Sequence, residues 1–153
     1  MALGTFYGQK TEGIFQDSLD IAHHAFQNGF TKPGDLKFKD LNHDGKIDGQ
    51  DVGILGNAFP SFNYGITLNM SYKGFDLTIF TQGVSGNKIY NQLKQNVLYN
   101  FGVSTNVSTD LLRAWGRTAD DGSLITNTSI PKLAINDKNQ NSRFSDYFLE
   151  DGS

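Results

Sequence analysis

Phe62-Asn63-Tyr64-Gly65-Ile66-Thr67-Leu68-Asn69-Met70-Ser71-Tyr72-Lys73-Gly74-Phe75-Asp76-Leu77-Thr78-Ile79-Phe80 decides the fold of this chain. Phe62, Tyr64, Ile66, Leu68, Met70 and Tyr72 alternate with Asn63, Gly65, Thr67, Asn69, Ser71 and Lys73. Successive side chains of a strand point to opposite faces, so a period of two makes one apolar and one polar face. Lys73-Gly74 forms a minimal turn, after which Phe75, Leu77 and Ile79 are set against Asp76, Thr78 and Gln82. Phe80 departs from the pattern. Residues 62–84 are therefore expected to form an antiparallel β-hairpin.

Such a hairpin fits either a soluble sandwich or a membrane barrel. Three features favour the barrel. The apolar face begins with Phe62 and Tyr64 and ends with Tyr72, as an interfacial girdle requires. The opposite face is uncharged until the turn. One connection is minimal while those on either side are long, the loop asymmetry of outer-membrane barrels. A lone two-stranded hairpin is marginal in water, so this one is expected to belong to something larger.

Composition sets the outer limits. The 153 residues suit one domain, and 12 Phe, 6 Tyr and 17 Gly argue against a disordered chain. There is no cysteine, which excludes a disulfide scaffold, a thiolate metal site and a cysteine nucleophile. With 13 basic and 16 acidic side chains the formal charge is −3, and no basic cluster argues for nucleic acid. The start, Met1-Ala2-Leu3-Gly4-Thr5-Phe6-Tyr7-Gly8, does not read as a secretory signal. No apolar run reaches the roughly 18 residues of a membrane helix, but a strand crosses with about 9–11 of alternating character.

Upstream of the hairpin lies Asp40-Leu41-Asn42-His43-Asp44-Gly45-Lys46-Ile47-Asp48-Gly49-Gln50-Asp51. This spacing is that of an EF-hand-like calcium loop. A hard cation wants six or more oxygens converging from one tight turn. Asp40, Asn42 and Asp44 would give side-chain oxygens, Lys46 its carbonyl, Asp48 a direct or water-bridged oxygen, and Asp51 the closing carboxylate. Gly45 permits the turn and Ile47 anchors it. Asp51 is shorter than the usual bidentate Glu, and paired flanking helices are absent. The competing reading is an Asx-rich turn that folds without metal. Ca2+ is expected here in a structural role.

Nothing supports catalysis. His23-His24 are adjacent and cannot share a helical face, and a solvated helix surface is expected for them. Gly83-Val84-Ser85-Gly86 is one residue short of a nucleophile elbow. Asp120-Asp121 reads as a turn. Short helices are expected over Ser18–Phe26, Asn87–Tyr99 and Thr109–Trp115, the last capped by Ser108 or Thr109. Tyr99, Phe101 and Trp115 are candidates for stacking on a sugar, with packing inside the loops the favoured role.

At these residues the chain resembles the SusC/RagA family of TonB-linked outer-membrane proteins. Matching stretches are Gly4-Thr5-Phe6-Tyr7-Gly8, Lys10-Thr11-Glu12-Gly13-Ile14-Phe15, Pro33-Gly34-Asp35-Leu36-Lys37, Leu55-Gly56-Asn57, Tyr64-Gly65 and Tyr72-Lys73-Gly74-Phe75-Asp76-Leu77. Further along they are Gln82-Gly83-Val84, Gly86-Asn87-Lys88-Ile89-Tyr90-Asn91, Trp115, Ile130-Pro131 and Phe148-Leu149-Glu150-Asp151-Gly152-Ser153. The resemblance implies a barrel of about 22 strands with a plugged lumen in outer-membrane lipid. It also implies import of oligosaccharides or peptides, a capping SusD-like surface lipoprotein, and energy from the TonB complex. Plug, TonB box and signal peptide find no match here.

The fold expected is mainly β: a fragment of a transmembrane barrel, inactive alone. Residues 1–61 would be an extracellular loop region carrying loop 40–51, 62–84 the membrane hairpin, and 85–153 a second extracellular loop region. The alternative is a free-standing calcium-binding adhesion or scaffold module.

Overall fold

A computed structural model describes residues 3–99, 107–134 and 136–153. The expected hairpin is present. Strands β5 (Phe62–Tyr72) and β6 (Phe75–Ser85) pair antiparallel without a break, from Phe62 opposite Ser85 to Tyr72 opposite Phe75. Lys73 and Gly74 both take positive φ, 47° and 86°, the two-residue turn whose twist matches its strands.

The register sorts the faces. Leu68 lies opposite Ile79 and Met70 opposite Leu77, while Asn69 lies opposite Thr78, whose hydroxyl donates to the Asn69 amide oxygen at 2.9 Å. Phe80 falls opposite Thr67, on the polar face. A Cβ at Gly83 would sit 2.4 Å from the Tyr64 ring, so the glycine is the bed on which that ring lies. No residue of β5 or β6 is buried.

Six short strands frame the hairpin. β1 (Thr5–Gln9) pairs antiparallel with β4 (Val52–Asn57), interrupted by a bulge beside Phe6 and Tyr7. β2 (Thr11–Ile14) pairs with β3 (Leu36–Phe38), and β7 (Lys88–Tyr90) with β8 (Leu149–Asp151). The two regions expected to be loops thus carry strands of three to six residues, too short and Gly-interrupted for a period to show.

Helices are shorter than their spacing predicts. α1 is confined to Ser18–Ala22, because Phe26 uses its backbone on the acidic loop instead: its N–H donates to Gly45 and its carbonyl accepts from Ile47. α2 covers Gln92–Tyr99, and the three residues 88–90 join β8 instead of extending it. Asn91 caps it through the Lys94 N–H at 2.7 Å. Thr109–Arg113 is a 3-10 turn capped by Ser108.

All the burial lies outside the hairpin. Ile14, Leu36, Phe38 and Ile47 make one apolar cluster, with Trp115 and Tyr147 packed against it. A second set is aromatic: Phe6, Phe144, Tyr90 and Phe148 follow one another at 6.3, 4.6 and 6.2 Å between ring centres, and Tyr99 and Tyr147 meet Phe148 edge-on. This column ties β1, through Phe6, to β7 and the rest of the second loop region.

Candidate functional site

The acidic loop is folded by its own carboxylates. Asp40 accepts from the N–H of His43 at 2.6 Å and of Gly45 at 2.9 Å. Asn42 accepts from Asp44, Asp44 from Lys46, and Asp48 from Gln50, at 3.0, 2.9 and 2.7 Å. Each short side chain mimics a backbone turn two or three residues on, which is why Asp and Asn recur at this spacing. His43 and Gly45 have positive φ, 61° and 81°. Ile47 is buried in the apolar cluster, the anchor its position predicts.

Asp51 closes the loop from beneath. It is fully buried, and its oxygens accept from Leu41 and Asn42 on one side and Asp48 on the other. Burial would push its carboxyl up, but the backbone N–H groups of Asp48, Leu41 and Asn42 hold it below the usual range. The six predicted ligands, Asp40, Asn42, Asp44, Lys46, Asp48 and Asp51, therefore share one turn. The side-chain oxygens of Asp40, Asn42, Asp44, Asp48 and Asp51 face amides of that turn, and among the described residues no three His, Asp or Glu side chains converge as a cage. The donor set, hard oxygens in one tight loop, suits a hard cation.

Behind the loop runs a buried polar network. The Gln27 amide donates to the Leu36 carbonyl and accepts from the Phe38 N–H, at 2.9 and 3.0 Å, pairing the open edge of β3 as a strand would. Asn141 accepts from the Leu36 N–H at 2.9 Å and donates to Asp35 at 3.0 Å. Asn139 donates to Asn141 and accepts from Gln27, and Lys132 pairs with Asp35 at 3.0 Å. The two loop regions are joined through these side chains. Nothing local in an Asn/Ser-rich stretch marks it as buried, since the partners lie about a hundred residues away.

Other candidates resolve simply. His24 is not a solvated surface residue: its side chain is 9% exposed, edge-on to Phe15 at 5.2 Å, with Nδ1 3.0 Å from the Ala25 carbonyl. Trp115 packs against the core and its indole N–H donates to Gln16. Tyr99 packs on Phe148, and Phe101 lies outside the described residues. Lys37 holds the Asp20 carboxyl below its usual range through a 2.7 Å contact.

No protein-family model matches the chain. TonB-dependent receptor P3 of Formosa agariphila is 32% identical over 144 residues, covering 94% of this chain and 13% of the receptor. TonB-dependent receptor P26 of the same organism is 32% identical over 103 residues, 65% of this chain and 10% of that one. TonB-dependent receptor SusC of Bacteroides thetaiotaomicron is 29% identical over 147 residues, 96% of this chain and 12% of its own length. The chain thus spans only 10% to 13% of the length of the relatives it matches. By these matches it is a SusC-like segment of the TonB-dependent receptor family.

Proposed function

We propose that this chain is part of the wall and outer surface of an outer-membrane importer of oligosaccharides or peptides, and acts only within the whole barrel. The observation that carries the reading is the convergence of the short ladders on the hairpin. Beyond β4 the Ala58 N–H donates to Gly4 at 2.8 Å, and beyond β8 the Gly152 N–H donates to Asn87 at 3.1 Å. A strand prolonging β1 back along that ladder would lie beside β5, and one prolonging β8 would lie beside β6. Such prolongations would run beside the two hairpin edges, as closure of a sheet requires, while among the described residues β5 and β6 pair only with each other.

The dimensions agree. Eleven residues at about 3.3 Å per step, tilted about 40°, span roughly 25 Å, the height of the apolar band of such barrels. Phe62 and Tyr64 mark one rim, Tyr72 and Phe75 the other, with Lys73 beyond it. The apolar face would meet lipid, and the Asn63, Thr67 and Asn69 face the lumen. Lys73-Gly74 is then the periplasmic turn, and residues 1–61 and 85–153 lie outside the cell. Within the whole importer a SusD-like lipoprotein would cap that outer surface and the TonB complex would supply energy. Loop 40–51 is read as a structural Ca2+ clip.

An antibody against residues 141–153 tests the reading on fractionated source cells. A band far heavier than 16.9 kDa in the outer membrane is expected, and a soluble band at that mass would overturn it. Ile66→Arg, near mid-membrane on the lipid side, should cost about 2–4 kcal/mol and deplete the membrane band. Thr67→Arg, on the lumen side, should leave it nearly intact.

A further inference from the structure

Asn28-Gly29 is the one place in the chain where glycine follows asparagine. The pair carries both reactants of a self-modification: a backbone nitrogen unshielded by any side chain of its own, and a carboxamide carbon one residue before it. It lies between α1 and β3, in the segment that meets Asn139 across the two loop regions.

The contacts of Asn28 favour that reaction. Its Oδ1 accepts from the Phe30 N–H at 2.8 Å, which folds the carboxamide back over the Gly29 peptide. When a nitrogen adds at Cγ, negative charge gathers on this oxygen, and a backbone N–H already aimed at it lowers the cost. The leaving nitrogen is held loosely. Nδ2 reaches Asn139 Oδ1 at 3.3 Å and the Asn139 carbonyl at 3.5 Å. Both acceptors have closer donors: Gln27 at 2.9 Å and Thr31 at 2.8 Å on the amide oxygen, Arg143 at 2.9 Å on the carbonyl. Gly29 has no left-handed φ, and a Cβ there would meet nothing within 4 Å.

We propose that Asn28-Gly29 modifies itself by deamidation. The Gly29 nitrogen bonds to the Asn28 Cγ, and the carboxamide nitrogen leaves as ammonia, taking up the Gly29 proton. Water then opens the succinimide ring at either carbonyl, giving aspartate or isoaspartate; it is the one co-reactant. Either product replaces a neutral donor by a carboxylate facing two acceptor oxygens of Asn139. Isoaspartate also lengthens the main chain by a carbon and carries the Phe30 N–H away. The neighbouring Gln27 pairs the edge of β3, so the change unpicks that edge as well. The result is a one-way ageing mark on the seam between the loop regions. It stands on contacts within the chain and is independent of the importer reading.

The test incubates the full chain at neutral pH, folded in detergent and unfolded in urea. Mass spectrometry follows the tryptic peptide Thr11–Lys37, whose one asparagine is Asn28, and a carboxyl methyltransferase counts isoaspartate. The folded chain is expected to convert at least as fast as the unfolded one. Gly29→Ala, whose Cβ has room, should slow conversion about tenfold and leave the protease resistance of residues 10–51 intact. Converted chains, separated by anion exchange, should lose that resistance. A folded chain that stays unconverted or lags behind the urea sample would overturn the site, as would undiminished conversion in Gly29→Ala. Converted chains as resistant as fresh ones would overturn the unpicking of the seam.

Discussion

Asn141 spends its amide on two adjacent residues of one segment. Its oxygen takes the Leu36 N–H and its nitrogen gives to Asp35, both fully enclosed. Leucine has the same shape there and none of the bonds, so Asn141→Leu would leave a buried N–H and a buried carboxylate oxygen unpaired. The expected loss is about 3 kcal/mol, seen as a lower urea midpoint for protease resistance of residues 10–51. Asn141→Asp should fare little better, since it sets a second carboxylate against Asp35. This network was not legible in the sequence. Asn139 and Asn141 sit in a polar tail that composition alone assigns to solvent, and only the long-range packing gives them partners. His24 misled in the same way: adjacency excluded a metal pair, but not burial against Phe15.

Elements were legible where solvent wrote the pattern. The hairpin sets an apolar face against a polar one along eleven residues, so its alternation is legible in the sequence. β3 has three residues and is paired on one edge by side chains, which leaves no period to read. Loop 40–51 was legible as a turn, because its Asx contacts are local. Its service to a cation is a separate matter, decided by measurement. Asp40→Ala with Asp44→Ala should abolish any calcium-dependent protection of residues 35–55 from protease. Protection that persists unchanged in chelator would mean the turn stands on its amides alone. The same double change also removes N–H partners, so Asp40→Asn, which keeps an acceptor, separates the two: it should retain the fold and lose calcium dependence.

Across the described residues the division is between the loop regions, which hold the buried side chains, and the hairpin, which holds none. Every buried apolar residue described, from Ile14 to Phe148, belongs to the first. The junction is narrow, for the Ser61 N–H donates to the Ser85 carbonyl at 2.9 Å. Replacing residues 62–85 with a short Gly-Ser turn should therefore yield a soluble piece that keeps the aromatic column, checked by near-ultraviolet circular dichroism of its Tyr and Trp bands. Loss of those bands would show that the loop regions need the hairpin to hold their shape. The calcium-module alternative would then lose its footing as well.

The uncovered edges of β5 and β6 carry a further consequence, for the order in which the protein is made. Each offers a row of backbone donors and acceptors over eleven residues, beside a face of Ile, Leu, Met and Phe. Such a ribbon is a template for any other extended chain it meets. In the proposed importer it would have to be shielded on its way to the membrane, or inserted together with neighbouring strands. A hairpin matured ahead of its neighbours would seed fibrils instead of a wall.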